Sequence, residues 1–192
     1  YLRIEQDEKA YTESEPPLKV GALYSKDDNV FGATTAGDDF GATVAIEVAE
    51  EMGQVRIDAS RVVVQGFGAV GIHAARFLAR RGASIVGVSD SRGAIIAPDG
   101  LDLDELIAFK RDGNHVGEFP EGTPVPGGDL VGLDCEIWVP AARPDVFTAA
   151  NAHDVRAKVI AEGANIPATV EAEAMFHERG VVVLPDFIAN AG

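Results

Sequence analysis

One cysteine, Cys135, stands in the 192 residues. No internal disulfide can form, and a reducing, cytoplasmic setting suits such a chain. No apolar run approaches the ~20 residues needed to span a bilayer, which argues against a membrane protein. No charged-then-apolar signal segment opens the chain. Basic residues are scarce, with 16 Lys and Arg against 31 Asp and Glu and a net charge of −15. Nucleic-acid phosphates require a basic face, so nucleic acid is excluded as a partner. Only five of the 16 basic residues are lysines. Acid excess with little lysine suits a salt-rich cytoplasm, where repulsion is screened within ~3 Å at 1 M salt; an ordinary acidic cytosolic protein is the alternative. The four histidines, His73, His115, His153 and His177, lack ligand spacing, so no metal site is expected. Paired acids such as Asp27-Asp28, Asp38-Asp39 and Glu50-Glu51 are neighbours whose side chains point apart, which suits solvated surface better than a cooperating acid–base pair.

Apolar residues, 46% of the chain, are ample for a core. Among them lies a glycine-rich run, Gly66-Phe67-Gly68-Ala69-Val70-Gly71. The β-branched Arg61-Val62-Val63-Val64-Gln65 before it has the character of a buried strand, and Val70, Ala74, Phe77 and Leu78 after it fall at helical spacing. Gly82 stops that helix, and Ala83 to Val88 forms a second strand leading to Asp90. Each part has a job in gripping a dinucleotide. Gly66 permits a tight turn, Gly68 lets a pyrophosphate approach the backbone, and Gly71 lets the helix pack on the sheet. The helix-start amides, including those of Ala69 and Val70 after Phe67, then face the phosphates. Asp90 lies 24 residues after Gly66, where a carboxylate accepts from an adenosine ribose.

The rest of the chain alternates helices with strands. Residues 1–36, with Pro16-Pro17, are expected to be a linker, and 37–192 the dinucleotide-binding domain. A helix over Asp39 to Met52, capped by Asp38 or Asp39, carries a stripe of Phe40, Val44, Val48 and Met52 expected in the core, and Gly53 ends it. A β-like run at Ala94-Ile95-Ile96 and a Pro98-Asp99-Gly100 turn lead to a helix over Leu103 to Arg111 capped by Asp102. The Gly- and Pro-rich stretch 112–130 is expected to be loop. Strands follow at Cys135 to Val139, Lys158 to Ala161 and Val181 to Leu184. Thr148 opens a short helix containing Asn151, and Thr169 caps a helix to Arg179. Near-continuous apolar strands between helices imply an α/β fold with a doubly wound, mostly parallel sheet of Rossmann type. Ligands bind such sheets beyond the carboxyl ends of the strands.

Six segments resemble the cofactor domain of glutamate dehydrogenases, within the Glu/Leu/Phe/Val dehydrogenase family. They are Val64 to Gly71, Val88-Ser89-Asp90-Ser91-Arg92-Gly93, Leu101 to Lys110, Val139-Pro140-Ala141-Ala142, Ala161-Glu162-Gly163-Ala164-Asn165, and Pro185 through Asn190-Ala191-Gly192. The resemblance covers about Phe31 to Gly192. It implies reversible oxidative deamination of an amino acid, glutamate first, with hydride transfer to NAD(P). A leucine, valine or phenylalanine dehydrogenase is the alternative. It also implies that Ala141 and Ala142 pass near the cofactor ribose, that Asn165 meets the nicotinamide half, and that Asn190 lies at the cleft. The family's catalytic Lys and Asp lie on a separate N-terminal domain that nothing here matches. The chain, starting at Tyr1 without Met, is therefore expected to be a fragment, inactive alone, of a protein that forms a homo-oligomer, a hexamer by resemblance. Asp38-Asp39-Phe40 departs from the family's Ala-Thr-Gly-x-Gly-like pattern, which keeps open a paralogue that senses NAD without turnover. Asp186, by the cleft, either orders its loop or takes part in catalysis. Asp90 favours NAD by repelling a 2′-phosphate, whereas Ser91 and Arg92 could hold that phosphate and admit NADP.

Overall fold

Three consecutive valines, Val62-Val63-Val64, lie at the centre of a seven-stranded sheet with no exposed surface. The computed structural model describes residues 46–189, apart from the side chains of 187 and 188. In chain order the strands are β1 (Arg61–Gln65), β2 (Ser84–Ser89), β3 (Ala94–Ile96), β4 (Thr123–Val125), β5 (Ile137–Pro140), β6 (Val159–Ala161) and β7 (Val182–Leu184). The helices are α1, described over 46–51, then α2 (Ala69–Arg80), α3 (Leu103–Arg111), α4 (Val170–Glu178) and α5 (Asp186–Ala189).

Strand order is β4-β3-β2-β1-β5-β6-β7. The five strands from β2 to β7 through β1 pair in parallel, and β3 and β4 add an antiparallel edge. The chain leaves β1 for β2 on one side and later returns to lay β5 on the other. The strand order therefore reverses between β1 and β5, which opens a crevice at their carboxyl ends. Alternation along the central strands divides the core between both faces. Val62, Val64, Ile137, Val139, Val159 and Ala161 join one cluster with α2 and α3. Val63, Trp138 and Ile160 join the other with α4. There, Trp138, Phe147 and Phe176 stack edge to face at 4.8 and 5.3 Å.

The mostly parallel α/β sheet expected from the sequence is present, and the strand and long-helix boundaries agree to within two residues. Both capping assignments among the described residues hold. Asp102 Oδ1 accepts from Glu105 N at 3.0 Å, and Thr169 Oγ1 accepts from Ala172 N at 3.3 Å. Three expectations fail. The stripe on α1 is not core where it is described: Val48 is 46% exposed and Met52 68%, while Ile46 and Ala49 are buried. Arg81, just past α2, engages Glu47 and Glu50, and Glu50 also accepts from Ile57 N at 2.7 Å. These contacts fix the rotation of α1 that points Ile46 and Ala49 inward. The stretch 112–130 is not all loop. Its residues Thr123–Val125 pair antiparallel with β3, and Pro124 is tolerated because β4 is an edge strand. Where the short helix at Thr148 was expected, Ala152–Asp154 forms a single 3₁₀ turn after Asn151. The linker 1–36, the boundary at 37, the caps Asp38 and Asp39, Phe40, Val44 and Asn190 lie outside the described residues.

The turn from β1 into α2 depends on two missing side chains. Gly66 adopts φ +97°, a left-handed conformation, and a Cβ there would lie 2.6 Å from Ala142 Cβ. A Cβ at Gly71 would lie 2.0 Å from Gly66 O. Gly71→Ala is therefore expected to cost about 3 kcal/mol or to prevent folding, because backbone rather than a flexible side chain blocks the methyl. Urea denaturation beside Gly68→Ala, whose methyl would meet nothing within 4 Å, checks this; equal stability of the two variants would refute it.

Candidate functional site

Five loops meet beyond the carboxyl ends of the parallel strands, and main-chain hydrogen bonds tie one to the next. Gly66 N and Phe67 N both donate to Ser89 O, at 2.9 and 2.7 Å. Ala141 N donates to Gln65 O at 2.7 Å, Ala164 N to Pro140 O at 2.8 Å, and Glu162 N to Leu184 O at 3.0 Å. The strand ladder thus continues past the strands into the loops. This brings Gly66–Gly71, Ala141-Ala142 and Gly163-Ala164 together: a Cβ at Gly163 would lie 3.1 Å from Val70 Cγ1 and 3.6 Å from Ala141 Cβ.

Within this rim the start of α2 points at the crevice. Ile72 N makes the first helical bond, to Gly68 O at 3.0 Å, so the amides of Ala69, Val70 and Gly71 have no helix acceptor. Gly68 and Ala69 are exposed, whereas Phe67 is buried and anchors the loop. The three glycines differ in kind. Gly66 and Gly71 are hemmed in by backbone, while a Cβ at Gly68 would project into open space. That combination, two glycines required by packing and one facing open space beside amides with no acceptor among the described residues, fits a phosphate-bearing ligand.

At the end of β2, Asp90 is held from within the protein. Its side chain is only 7% exposed. Oδ1 accepts from Arg92 N at 2.9 Å, and Oδ2 accepts from Lys110 Nζ at 2.7 Å and from Val116 N at 3.0 Å. His115 Nδ1 stands 3.6 Å from Oδ2. Burial alone would raise this carboxyl's pKa, but the Lys110 bond and the two main-chain donors outweigh it and bring it to about 2. Sequence spacing puts Asp90 at the rim but gives no sign of Lys110, 20 residues on, as its partner. Ser91 and Arg92 beside it are exposed, and Arg92 and His115 line a cavity of about 460 Å³.

At the end of β6 the structure adds residues that sequence reasoning passed over. Glu162 is 2% exposed; Oε2 accepts from Asp186 N at 3.0 Å, and Oε1 is buried with no partner among the described residues. Burial, with the charges of Asp186 and Glu173 nearby, outweighs the Asp186 amide and pushes the pKa up to about 7. The only warning in the sequence is an acid interrupting the apolar run Val159 to Ala164. Asp186 in turn orders a loop, as its Oδ2 accepts from Ile166 N at 2.8 Å. Asn165, between Ala164 and Ile166, is exposed. Cys135 is buried, and burial pushes its thiol up to about 12. Among the described residues no group of three or more His, Cys, Asp or Glu could hold a metal ion. None of their helices is long and apolar enough to cross a membrane.

Residues 32–192 match the sequence model of the Glutamate/Leucine/Phenylalanine/Valine dehydrogenase family. The chain belongs to that family. The NADP-specific glutamate dehydrogenase of Saccharolobus shibatae is 44% identical over 151 residues, which are 79% of this chain and 36% of that protein. The NAD-specific glutamate dehydrogenase of Staphylococcus aureus is 39% identical over 176 residues, 92% of this chain and 40% of that protein. Among solved structures, the hetero-hexameric glutamate dehydrogenase of Thermus thermophilus, in its Leu-bound form, superposes with a TM-score of 0.74 at 32% identity. That match covers 82% of this chain and 37% of the Thermus chain. The chain thus spans well under half the length of the relatives it matches.

The two perturbed carboxyls at the rim give opposite dependences of stability on pH. Glu162, raised from 4.5 to about 7, contributes most below its unfolded value, and the contribution is lost as pH rises through 7. Asp90, lowered from 3.8 to about 2, contributes fully above its unfolded value and loses that as pH falls through 2. Melting temperatures of Glu162→Gln and the parent protein should therefore diverge between pH 5 and 8, the variant losing less as pH rises. Parallel curves would refute a buried, proton-holding Glu162.

Proposed function

We propose that this chain is the NAD(P)-binding part of an amino acid dehydrogenase, with L-glutamate as the substrate. The observation that carries this reading is the open face of Gly68 beside the amides of Ala69, Val70 and Gly71, which have no acceptor among the described residues. In this reading the loop Gly66–Gly71 holds the pyrophosphate on the helix start, where the dipole favours negative charge. Ala141 and Ala142 pass the ribose, and Asn165 meets the nicotinamide half. Bound NAD(P) supplies the hydride acceptor; the chain's own residues grip it, orient it and shield it from water. The acid–base residues that act on the amino acid are assigned to a separate domain, as in the family.

Coenzyme choice follows from the state of Asp90. Its charge is offset by Lys110, and three donors already occupy its carboxylate. It is therefore a weaker repeller of a 2′-phosphate than its position in the sequence implies, while Ser91 and Arg92 are exposed next to it. This supports acceptance of both NAD and NADP, with Asp90 shaping the loop and Arg92 attracting the extra phosphate. The whole protein is proposed to work in the cytoplasm as a hexamer. The net charge of −15 supports adaptation to salt, for which the expected result is a melting temperature that rises from low to molar salt.

In the complete polypeptide that carries this sequence, glutamate is expected to drive NAD(P)H formation. Turnover of leucine, valine or phenylalanine instead would reassign the substrate, and coenzyme binding without turnover would favour a sensor. Gly68→Val is expected to weaken both coenzymes about 100-fold with the melting temperature unchanged. Arg92→Ala is expected to weaken NADP⁺ about tenfold and leave NAD⁺ alone. Titration of each coenzyme by fluorescence decides the matter; unaltered affinity in Gly68→Val would sink the phosphate cradle.

A further inference from the structure

Asn165 is flanked on both sides by fixed backbone. Before it, Ala164 N donates to Pro140 O at 2.8 Å. After it, Ile166 is gripped twice: its N donates to Asp186 Oδ2 at 2.8 Å, and its O accepts from Asp145 N at 3.1 Å. Ile166 needs gripping, because it sits at φ +48°, a left-handed conformation that a β-branched residue resists. Its side chain is 66% exposed, so packing does not repay the strain. Asp145, which holds the other side, is itself at φ +53°. The grip traces back to β6, because Asp186 N donates to the buried Glu162 Oε2 at 3.0 Å. Two carboxylates in series, Glu162 to Asp186 to Ile166, thus connect the floor of the sheet to the loop that carries Asn165.

We propose that Glu162 and Asp186 are positioning residues which hold Asn165 in register for the nicotinamide half of the coenzyme. The inference rests on the reading of this cleft as the coenzyme site. Neither carboxylate touches the coenzyme; both act through the backbone of residue 166. The groups facing Glu162 are Asp186 at the start of α5, and Glu173 and His177 on α4, which line with it a cavity of about 420 Å³. With two acids beside it, a proton on Glu162 relieves repulsion against Asp186.

The test separates the two halves of the coenzyme in the complete polypeptide. ADP-ribose reports the adenosine half, and NADH, or NADPH where it binds tighter, reports the whole. Asp186→Ala is expected to weaken the reduced coenzyme about tenfold and leave ADP-ribose unchanged, with kcat falling more than the KM for the amino acid rises. Asp186→Asn, whose amide oxygen still accepts from Ile166 N, is expected to restore binding to within about twofold. Glu162→Met fills the same buried volume without an acceptor, so it should fold and show the same selective loss; Glu162→Gln should not. Equal weakening of both probes, or no difference between the Asn and Ala variants, would overturn the positioning role alone. A parent protein that binds neither probe would overturn this role together with the coenzyme reading.

Discussion

The contact between Gly71 and the carbonyl of Gly66 is the constraint from which the rim is built. A Cβ at 71 would stand 2.0 Å from that oxygen. Without it, the first turn of α2 lies flat on the end of β1. The amides of the first turn, without a helix acceptor, then lie at the carboxyl end of β1 beside the sheet's crevice. Gly66 meets the same need from the other side. Its left-handed backbone turns the chain sharply enough to clear Ala141 and Ala142, which belong to the loop after β5. Helix, turn and neighbouring loop are thus one packing problem, and glycine at both positions is its solution.

From that corner, order spreads sideways by main-chain hydrogen bonds. Ser89 O receives the amides of Gly66 and Phe67, Gln65 O that of Ala141, Pro140 O that of Ala164, and Leu184 O that of Glu162. Each joins the loop after one strand to its neighbour, so the loops continue the hydrogen-bonding of the sheet. A ligand spanning several of them meets a surface fixed in advance, which lowers the ordering cost of binding.

The sequence discloses local chemistry well and distant partners poorly. The glycine run, the valine strand before it, and the caps Asp102 and Thr169 depend on neighbours a few residues away, so spacing was sufficient. The rotation of α1 was not legible, because Arg81, some 30 residues on, selects the face that turns inward. Edge strand β4 was hidden by its proline and by the glycines around it, which signal loop unless the partner strand is known. At the site, the position of Asp90 was evident but its state was not. Lys110 and the amide of Val116 arrive from 20 and 26 residues away. The link from Glu162 to Asp186 spans 24 residues and likewise leaves no periodic trace.

Asp90 and Glu162 make the same point about acids in a cleft. Both are carboxylates at the ends of parallel strands, both mostly removed from water, and both accept from main-chain amides. Asp90 has a lysine ammonium at 2.7 Å and stays ionised with its pKa near 2. Glu162 faces Asp186 and Glu173 instead, keeps one oxygen without a partner among the described residues, and rises to about 7. Burial raises both; at Asp90 the Lys110 bond and two main-chain amides outweigh it, whereas at Glu162 one amide does not and the acidic neighbours add to it. A carboxylate neutralised by lysine can shape a loop without repelling an anionic ligand beside it. A carboxyl that carries a proton near neutral pH can be buried under the sheet's rim, where a permanent charge would be costly. The chain therefore places its acids along the crevice in two different states, and its net negative charge does not set the charge of each carboxyl there.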